Sequence, residues 1–209
     1  MTLRPPLRTL AAHALLALSL SSLSGCDLGI QAASGTAASD EGPAQPRFVP
    51  DPAGSGLLGV TPEALRRHAQ TFGGKALVVN LWASFCGSCK RELPMLVALR
   101  DRFASAGVGL LMLSADEPED RAEAVALLRE HGLPLPSHHL AGGVGAFRAA
   151  IEPRWEGALP ATLLLDAEGR VRYFWNGPVL DEEVRPIIEG FLAGEHIDGM
   201  RDVAAKPAE

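Results

Sequence analysis

The feature that most restricts the fold is the dense run of apolar and β-branched residues at 76–82 (ALVVNLW). A strand with one solvated face alternates apolar and polar residues, whereas this run is apolar at almost every position. Such a run is typical of a central strand that is covered on both faces. The sequence therefore predicts an α/β domain built around this strand.

The segments around this strand alternate between helical and strand patterns. Thr61-Pro62-Glu63 predicts a helix start, because it supplies an N-cap hydroxyl, a first-turn proline and an acid near the helix dipole. A helix is predicted at 86–103, where leucines and Phe103 recur at helical spacing. Further predicted elements are a strand at 108–114, a helix at 120–131, a hairpin of strands 161–165 and 171–175, and a helix at 181–192. This order resembles that of a thioredoxin-like fold, with a central mixed β-sheet flanked by helices.

The N-terminal segment has the pattern of an export signal. Arg4 and Arg8 precede an Ala-, Leu- and Ser-rich run at 10–23, which is shorter than the about 20 residues that span a bilayer. The run ends in Leu23-Ser24-Gly25-Cys26, which resembles a bacterial lipobox. That resemblance implies that Cys26 is diacylated and becomes the mature N-terminus; the alternative is an ordinary cleaved signal. Asp27 resembles a signal for retention in the inner membrane.

Four segments follow from these patterns. We expect a lipoprotein signal peptide at 1–25, a lipid-anchored flexible linker at 26–59, the thioredoxin-like domain at 60–193 and a C-terminal tail at 194–209. The linker is rich in Ala, Gly, Ser and Pro and lacks the apolar density to fold alone. With 47% apolar residues the chain can bury a sizeable core, and its net charge of −6 disfavours a nucleic-acid partner.

The residues that carry chemistry are Cys86 and Cys89, at the junction of the central strand and the next helix. At a helix N-terminus, unpaired N–H groups and the dipole favour the thiolate of Cys86, which can then attack a disulfide. Cys89, one turn further, can resolve the mixed disulfide. Half of a zinc site and a structural disulfide are the alternatives. Zinc would need two more ligands, and no second Cys pair and no His at finger spacing is present.

The stretch LVVNLWASFCGSCKRELP at 77–94 resembles the TlpA/ResA-like branch of the thioredoxin superfamily. The resemblance extends through GALPATL at 157–163 and covers roughly residues 60–193. It implies a membrane-anchored, periplasmic protein-disulfide reductase without a resident cofactor, recharged by a membrane-embedded disulfide reductase. It also implies exported substrates, among them the haem-binding cysteines of apocytochrome c and the copper-site cysteines of respiratory oxidases.

Three further positions are candidates for the site. Asn80 stands where thioredoxins proper carry a buried acid, and an amide cannot shuttle protons. Glu92, three residues after Cys89 on the same helix face, is the candidate proton acceptor, and a matching Glu recurs in ResA-like proteins. The alternative is a solvated first-turn acid. Pro160 matches the family's cis-proline, so we expect a cis Leu159–Pro160 bond beside the two cysteines. Trp82 and Phe85 are interpreted as a packing and a rim residue.

Other functions remain open from the sequence. The chain could be a disulfide oxidant, since the sign of the effect of Gly87-Ser88 on the redox potential does not follow from the sequence. It could also be a copper-binding or copper-delivering lipoprotein that uses the cysteines and a histidine. His138-His139 would suit copper, although a polar loop is the commoner explanation of such a pair. Gly142–Gly145 lacks the spacing of a dinucleotide fingerprint and is expected to be a loop. A peroxidase lacks support, because no Pro/Thr-rich loop carries a peroxidatic cysteine.

Overall fold

The computed structural model describes residues 48–50, 54–133, 135 and 137–202. The expected signal peptide, the proposed lipidation site Cys26 and most of the expected linker lie outside the described residues. No helix in the described part of the chain is long and apolar enough to cross a lipid bilayer.

The described residues form strands and helices in alternation. The strands are β1 (Val49–Pro50), β2 (Leu57–Val60), β3 (Ala76–Trp82), β4 (Val108–Ser114), β5 (Ser137–Leu140), β6 (Ala161–Asp166), β7 (Val171–Asn176) and β8 (Gly199–Asp202). The helices are α1 (Pro62–Thr71), α2 (Gly87–Phe103), α3 (Arg121–Glu130), α4 (Gly143–Ala150) and α5 (Asp181–Leu192), with a short 3-10 turn at Ala104–Ala106. The predicted α/β class and the elements predicted at 76–82, 86–103, 108–114 and 181–192 are confirmed to within a residue.

The strands form one mixed sheet with the order β1-β2-β5-β4-β3-β6-β7-β8. The predicted central strand β3 is parallel to β4 on one side and antiparallel to β6 on the other. Every residue of β3 is buried. This register places Asn80 between Met112 of β4 and Thr162 of β6. The carboxyl end of β3 is therefore flanked by the end of β4 and the start of β6, where loops converge.

Helices cover both faces of the sheet, as the continuous apolar pattern of β3 requires. Leu77, Val79 and Leu81 of β3 pack in one core cluster with residues of α1 and α4. Val78 and Trp82 point to the opposite face and pack in clusters with residues of α2, α3 and α5. The alternation of side chains along a strand produces this division. Asn80 falls on the α2 face, and the sheet therefore presents an amide to the helix that carries the cysteines.

Three strands lie wholly or almost wholly outside the range predicted for the domain. β1 (Val49–Pro50) falls in the expected linker and pairs antiparallel with β2. β2 (Leu57–Val60) falls almost wholly in the expected linker, and β8 (Gly199–Asp202) falls in the expected tail. β2 pairs in parallel with β5, and β8 pairs in parallel with β7. Segments of two to four residues are too short to show a period in the sequence. Their stability comes from pairing with the neighbouring strand.

Two expected loops are also regular structure. His138 and His139 belong to β5, and His139 is buried. Gly142–Gly145 is the entry into α4, where Gly142 and Gly143 have φ values of 86° and 77° that favour glycine. The helix that follows is held by Phe147, which is buried in the α1-side cluster. Long-range packing therefore overrides the weak helix propensity of this glycine-rich segment.

Candidate active site

The two cysteines lie where β3 passes into α2. They form a disulfide, with their Cα atoms 5.3 Å apart. Cys86 is the N-cap of α2, which begins at Gly87, and its Sγ accepts a hydrogen bond from the N–H of Cys89 at 3.2 Å. The N–H of Cys86 donates to the Ala83 carbonyl at 3.1 Å. The sulfur of Cys86 therefore sits against the N-terminal N–H groups of a helix, where negative charge is stabilised.

The two sulfurs have different environments. Cys86 is partly exposed, whereas Cys89 is completely buried beside Trp82 in the α2-side core. Phe85, the residue before the first cysteine, exposes 67% of its surface. Trp82 is 0% exposed, so its interpretation as a packing residue agrees with its position. A partner protein can contact Cys86 at the surface, whereas Cys89 has no exposed surface.

Glu92 lies inside the protein rather than in solvent. It is 5% exposed, one turn after Cys89 on α2. Its Oε1 accepts a hydrogen bond from Asn80 Nδ2 at 2.8 Å, and its Oε2 accepts one from the N–H of Val179 at 3.1 Å. Burial raises the pKa of Glu92 to about 7, although both hydrogen bonds act in the opposite direction. The alternative of a solvated first-turn acid is wrong.

Asn80 connects this carboxyl group to the neighbouring strand. Its Nδ2 also donates to Thr162 Oγ1 at 3.0 Å. Its Oδ1 is buried, and no donor among the described residues lies within hydrogen-bond distance of it. The structure therefore assembles Thr162 of β6, Asn80 of β3 and Glu92 of α2 into one buried polar chain.

A second buried carboxyl group, Asp116, was not found from the sequence. It lies two residues after the end of β4 and accepts hydrogen bonds from the N–H and hydroxyl of Ser84, at 2.9 and 2.6 Å. The hydroxyl of Ser114 donates to its other oxygen at 2.6 Å. Ser84 lies in the loop that leads to Cys86, so Asp116 fixes that loop to the end of β4. An acid just after a buried strand was the signal that could have identified it.

The Leu159–Pro160 peptide bond is cis, as predicted. Pro160 immediately precedes β6, whose first residue Ala161 pairs with Leu81 near the carboxyl end of β3. Leu159 packs against the core cluster that contains Cys89. The carbonyl of Pro160 accepts a hydrogen bond from the N–H of Gly177 at 3.0 Å. The sheet register therefore brings the cis-proline to the same end of the sheet as the disulfide.

A cavity of about 190 Å³ opens beside Glu92. Its walls are Ser88, Arg91, Met95, Pro178, Val179, Leu180 and Asp181. Leu180 exposes 54% of its surface at this position. The cavity gives the buried carboxyl group of Glu92 a border with a partly enclosed space, which Ser88, in contact with Cys86 Sγ at 3.4 Å, also lines.

The two histidines singled out from the sequence belong to β5, whereas the cysteines lie at the start of α2. His138 of β5 lies near His68 of α1, with ring centroids 6.3 Å apart, and Phe48 packs against both rings. Burial is the main cause that lowers the pKa of His138 to about 4. Within the described part of the chain, no group of three or more His, Cys, Asp or Glu side chains could hold a metal ion.

A mixed sheet with a Cys-x-x-Cys disulfide at the start of α2 and a cis-proline before β6 defines a thiol–disulfide oxidoreductase of thioredoxin-like fold. Residues 63–174 match the model of the AhpC/TSA family. The chain belongs to this family, in its TlpA/ResA-like branch, which confirms the resemblance described above.

Similar proteins of assigned function agree with that placement. The DsbE homologue of Paracoccus denitrificans, a thiol:disulfide interchange protein, is 34% identical over 145 residues, which cover 67% of this chain and 71% of the relative. The thiol–disulfide oxidoreductase ResA of Geobacillus thermodenitrificans is 27% identical over 59% of this chain and 68% of its own length. The match to ResA of Bacillus thuringiensis spans 62% of that relative's length.

Solved structures share the fold at low sequence identity. A hypothetical protein from Sinorhizobium meliloti 1021 has a TM-score of 0.53 at 18% identity, over 75% of this chain and 87% of the other. An uncharacterised protein from Geobacillus kaustophilus has a TM-score of 0.50, also at 18% identity, over 65% and 80% of the two chains. These likenesses concern the fold alone.

Proposed function

We propose that this protein is a membrane-tethered, extracytoplasmic reductase of protein disulfides. The observation that carries the proposal is the position of the disulfide, with Cys86 accessible at the N-terminus of α2 and Cys89 buried one turn from Glu92. A structural disulfide has no need for an accessible sulfur at a helix N-terminus or for a buried carboxyl group of raised pKa.

In the proposed reaction the protein starts as the dithiol. The Cys86 thiolate attacks one sulfur of a substrate disulfide, which forms a mixed disulfide and releases the first substrate sulfur as a thiolate that takes up a proton. Cys89 then loses its proton and attacks the sulfur of Cys86. This step releases the second substrate thiolate and forms the Cys86–Cys89 disulfide seen in the structure. Two electrons pass to the substrate in each cycle.

Glu92 is the proposed acceptor of the Cys89 proton. A buried thiol is a poor nucleophile until it is deprotonated, and Glu92 lies one turn further along the same helix. A carboxyl group with a pKa of about 7 is ionised in part of the molecules at neutral pH and can return the proton readily. Pro160, at the same end of the sheet, is proposed to contact the substrate chain beside the mixed disulfide.

The proposed partners follow from this chemistry. The substrates are exported proteins with disulfides, such as apocytochrome c with its haem-binding cysteines or proteins with copper-site cysteines. A membrane-embedded disulfide reductase returns two electrons to Cys86–Cys89 after each turnover. The cysteine pair carries these electrons itself, so the reaction requires no resident cofactor. The names of the relatives, thiol–disulfide oxidoreductase and thiol:disulfide interchange protein, support this class of reaction.

We further propose that diacylated Cys26 anchors the protein to the periplasmic face of the inner membrane. Two acyl chains give durable attachment where one is marginal. The chain between Cys26 and β1 at Val49 has about 20 residues, and a flexible linker of that length would have a reach of roughly 25 Å. The redox domain could then approach both a membrane-embedded electron donor and exported chains near the membrane surface.

A trapping experiment tests the proposal. With Cys89→Ser the mixed disulfide cannot be resolved, so the reduced variant is expected to capture exported proteins through Cys86 as covalent adducts released by reductant. Cys86→Ser is the matched control and is expected to capture none. The reduced wild-type protein should also convert an oxidised dithiol peptide to its thiols. The absence of adducts and of this conversion, together with stoichiometric Cu(I) binding by the reduced domain, would favour the copper lipoprotein instead.

A further inference from the structure

The side-chain amide of Asn80 forms all of its described hydrogen bonds through one end. Nδ2 donates to Glu92 Oε1 at 2.8 Å and to Thr162 Oγ1 at 3.0 Å. The other end, Oδ1, is buried without a donor among the described residues. Asn80 itself is 0% exposed, so this arrangement lies wholly inside the protein. A buried acceptor without a partner is costly and calls for an explanation.

The arrangement suits the ionised form of Glu92 better than the protonated form. Its two oxygens receive N–H donors from Asn80 and from Val179, and an ionised carboxylate is a pure acceptor. Once Glu92 takes up a proton, its new O–H group requires an acceptor. The backbone N–H of Val179 cannot become one. Asn80 can, because an amide carries an acceptor at one end and a donor at the other.

We propose that Asn80 is a positioning residue whose amide turns by about 180° around its Cβ–Cγ bond when Glu92 gains a proton, so that Oδ1 accepts the carboxyl O–H. The inference rests on the proposed role of Glu92 as the proton carrier. Thr162 supports either orientation, because its hydroxyl accepts from Nδ2 now and donates to Oδ1 after the turn. Distances of 2.8 and 3.0 Å suit O–H···O bonds as well as N–H···O bonds.

After the turn, Nδ2 would occupy the position that Oδ1 occupies now, away from Glu92. Asn80 and the buried Trp82 lie on the face of β3 that α2 covers, and Trp82 packs in the same cluster as Cys89 of α2. When Cys89 passes its proton to Glu92, negative charge moves from the carboxyl group to the sulfur. If the amide of Asn80 turns at the same time, its N–H donor moves away from the Glu92 carboxyl group, which is then uncharged. Asn80 cannot carry the proton, but it can donate a hydrogen bond to Glu92 when Glu92 is ionised and accept one when Glu92 is protonated.

Few other charges face Glu92. Arg91 of α2 and Asp181 of α5 line the adjoining cavity. Asp181 is paired with Arg102 and Arg185, whose hydrogen bonds lower its pKa. Asp181 therefore stays ionised near neutral pH, where Glu92 titrates, and the amide of Asn80 is expected to follow Glu92 alone.

Side-chain NMR of the oxidised full-length protein tests the inference. The Glu92 carboxyl carbon and the Asn80 NH2 group would be followed from pH 5 to pH 9. At pH 9 the NH2 protons should show cross-relaxation to Thr162, and these signals should be lost at low pH with the same midpoint as the Glu92 titration. The side-chain amide of Gln70, which donates to the carbonyl of Glu168, is the internal control and should not respond.

Glu92→Gln supplies an independent measurement. Glutamine permanently resembles the protonated acid, so Asn80 should show the low-pH pattern at every pH. Retention of the pH 9 pattern in the variant, or in the wild type below the Glu92 midpoint, would overturn the inference while leaving Glu92 as a proton carrier. If the Glu92 carboxyl carbon does not titrate in this range, the proton role within the proposed function fails, and the orientation of Asn80 in the variant still decides this inference.

Discussion

Replacement of Glu92 by glutamine should stabilise the folded protein at alkaline pH. The gap between the ordinary pKa of 4.5 and the folded value of about 7 corresponds to about 3 kcal/mol, at roughly 1.4 kcal/mol per pH unit. Between these values the folded protein holds a proton on Glu92 that the unfolded chain has lost. The stability of the wild type therefore declines as pH rises from 4.5 to about 7. Glutamine removes that decline, because it carries no charge.

Urea unfolding of the oxidised proteins at several pH values from 4.5 to 9 measures this effect. We expect Glu92→Gln to gain up to about 3 kcal/mol relative to wild type across this range, most of it between pH 5 and 8. Groups other than residue 92 are common to both proteins, so their contributions cancel in the difference. Glu130→Gln, at an exposed position of α3, controls for the loss of one carboxylate. A difference between Glu92→Gln and wild type that is constant from pH 5 to pH 9 would refute the argument.

Further predictions concern the rate, the thiols, the anchor and the acid limit. Glu92→Gln should slow disulfide exchange by about 10²-fold and flatten its pH dependence, and a wild-type rate across pH 5–9 would exclude its proton role. In the reduced protein, Cys86 should be alkylated at least about tenfold faster than Cys89 by mass spectrometry; the reverse order would exchange their roles. Cys26→Ser should abolish membrane fractionation, and normal attachment would contradict the lipid anchor. His138, with a pKa lowered from 6.5 to about 4, contributes stability above pH 6.5 that is lost as pH falls towards 4. In urea unfolding at several pH values, His138→Gln should reduce this loss of stability at acid pH. A loss of the same size in the variant would contradict the prediction.

The elements that could be predicted from the sequence carry their own pattern. β3 is apolar along its whole length, and α2 repeats leucines at helical spacing, so each is recognisable in isolation. β5 and α4 are different, because their sequences, SHHL and GVGAFRAA, favour neither structure. β5 exists because β2 and β4 pair with it on either side. Stability that comes from distant partners leaves little local trace in the sequence.

The same distinction holds within the site. Cys86, Cys89 and Glu92 follow one another at intervals of three residues on one helix, so spacing alone was enough to group them. One of the two hydrogen bonds to the buried Glu92 carboxyl group comes from Val179, which is 87 positions away along the chain. The link between Asp116 and Ser84 arises from the parallel pairing of β3 and β4. Spacing identifies residues on one element, but the environment that changes their chemistry comes from other elements.

The first two turns of α2 separate the routes that electrons and protons would take in the proposed reaction. Cys86, at the N-cap, meets the substrate at the surface, and electrons leave the protein there. Cys89 and Glu92 turn inward along the helix, and both are buried. The proton from Cys89 therefore cannot leave by the route of the electrons without exposing the resolving thiol. Glu92 offers another exit, because it borders a cavity lined by residues of α2 and of the segment at 178–181. In the proposed reaction, an interior acid with a pKa near neutrality would allow the second sulfur to remain shielded from oxidants and still react, which a solvent-exposed pair of thiols could not do.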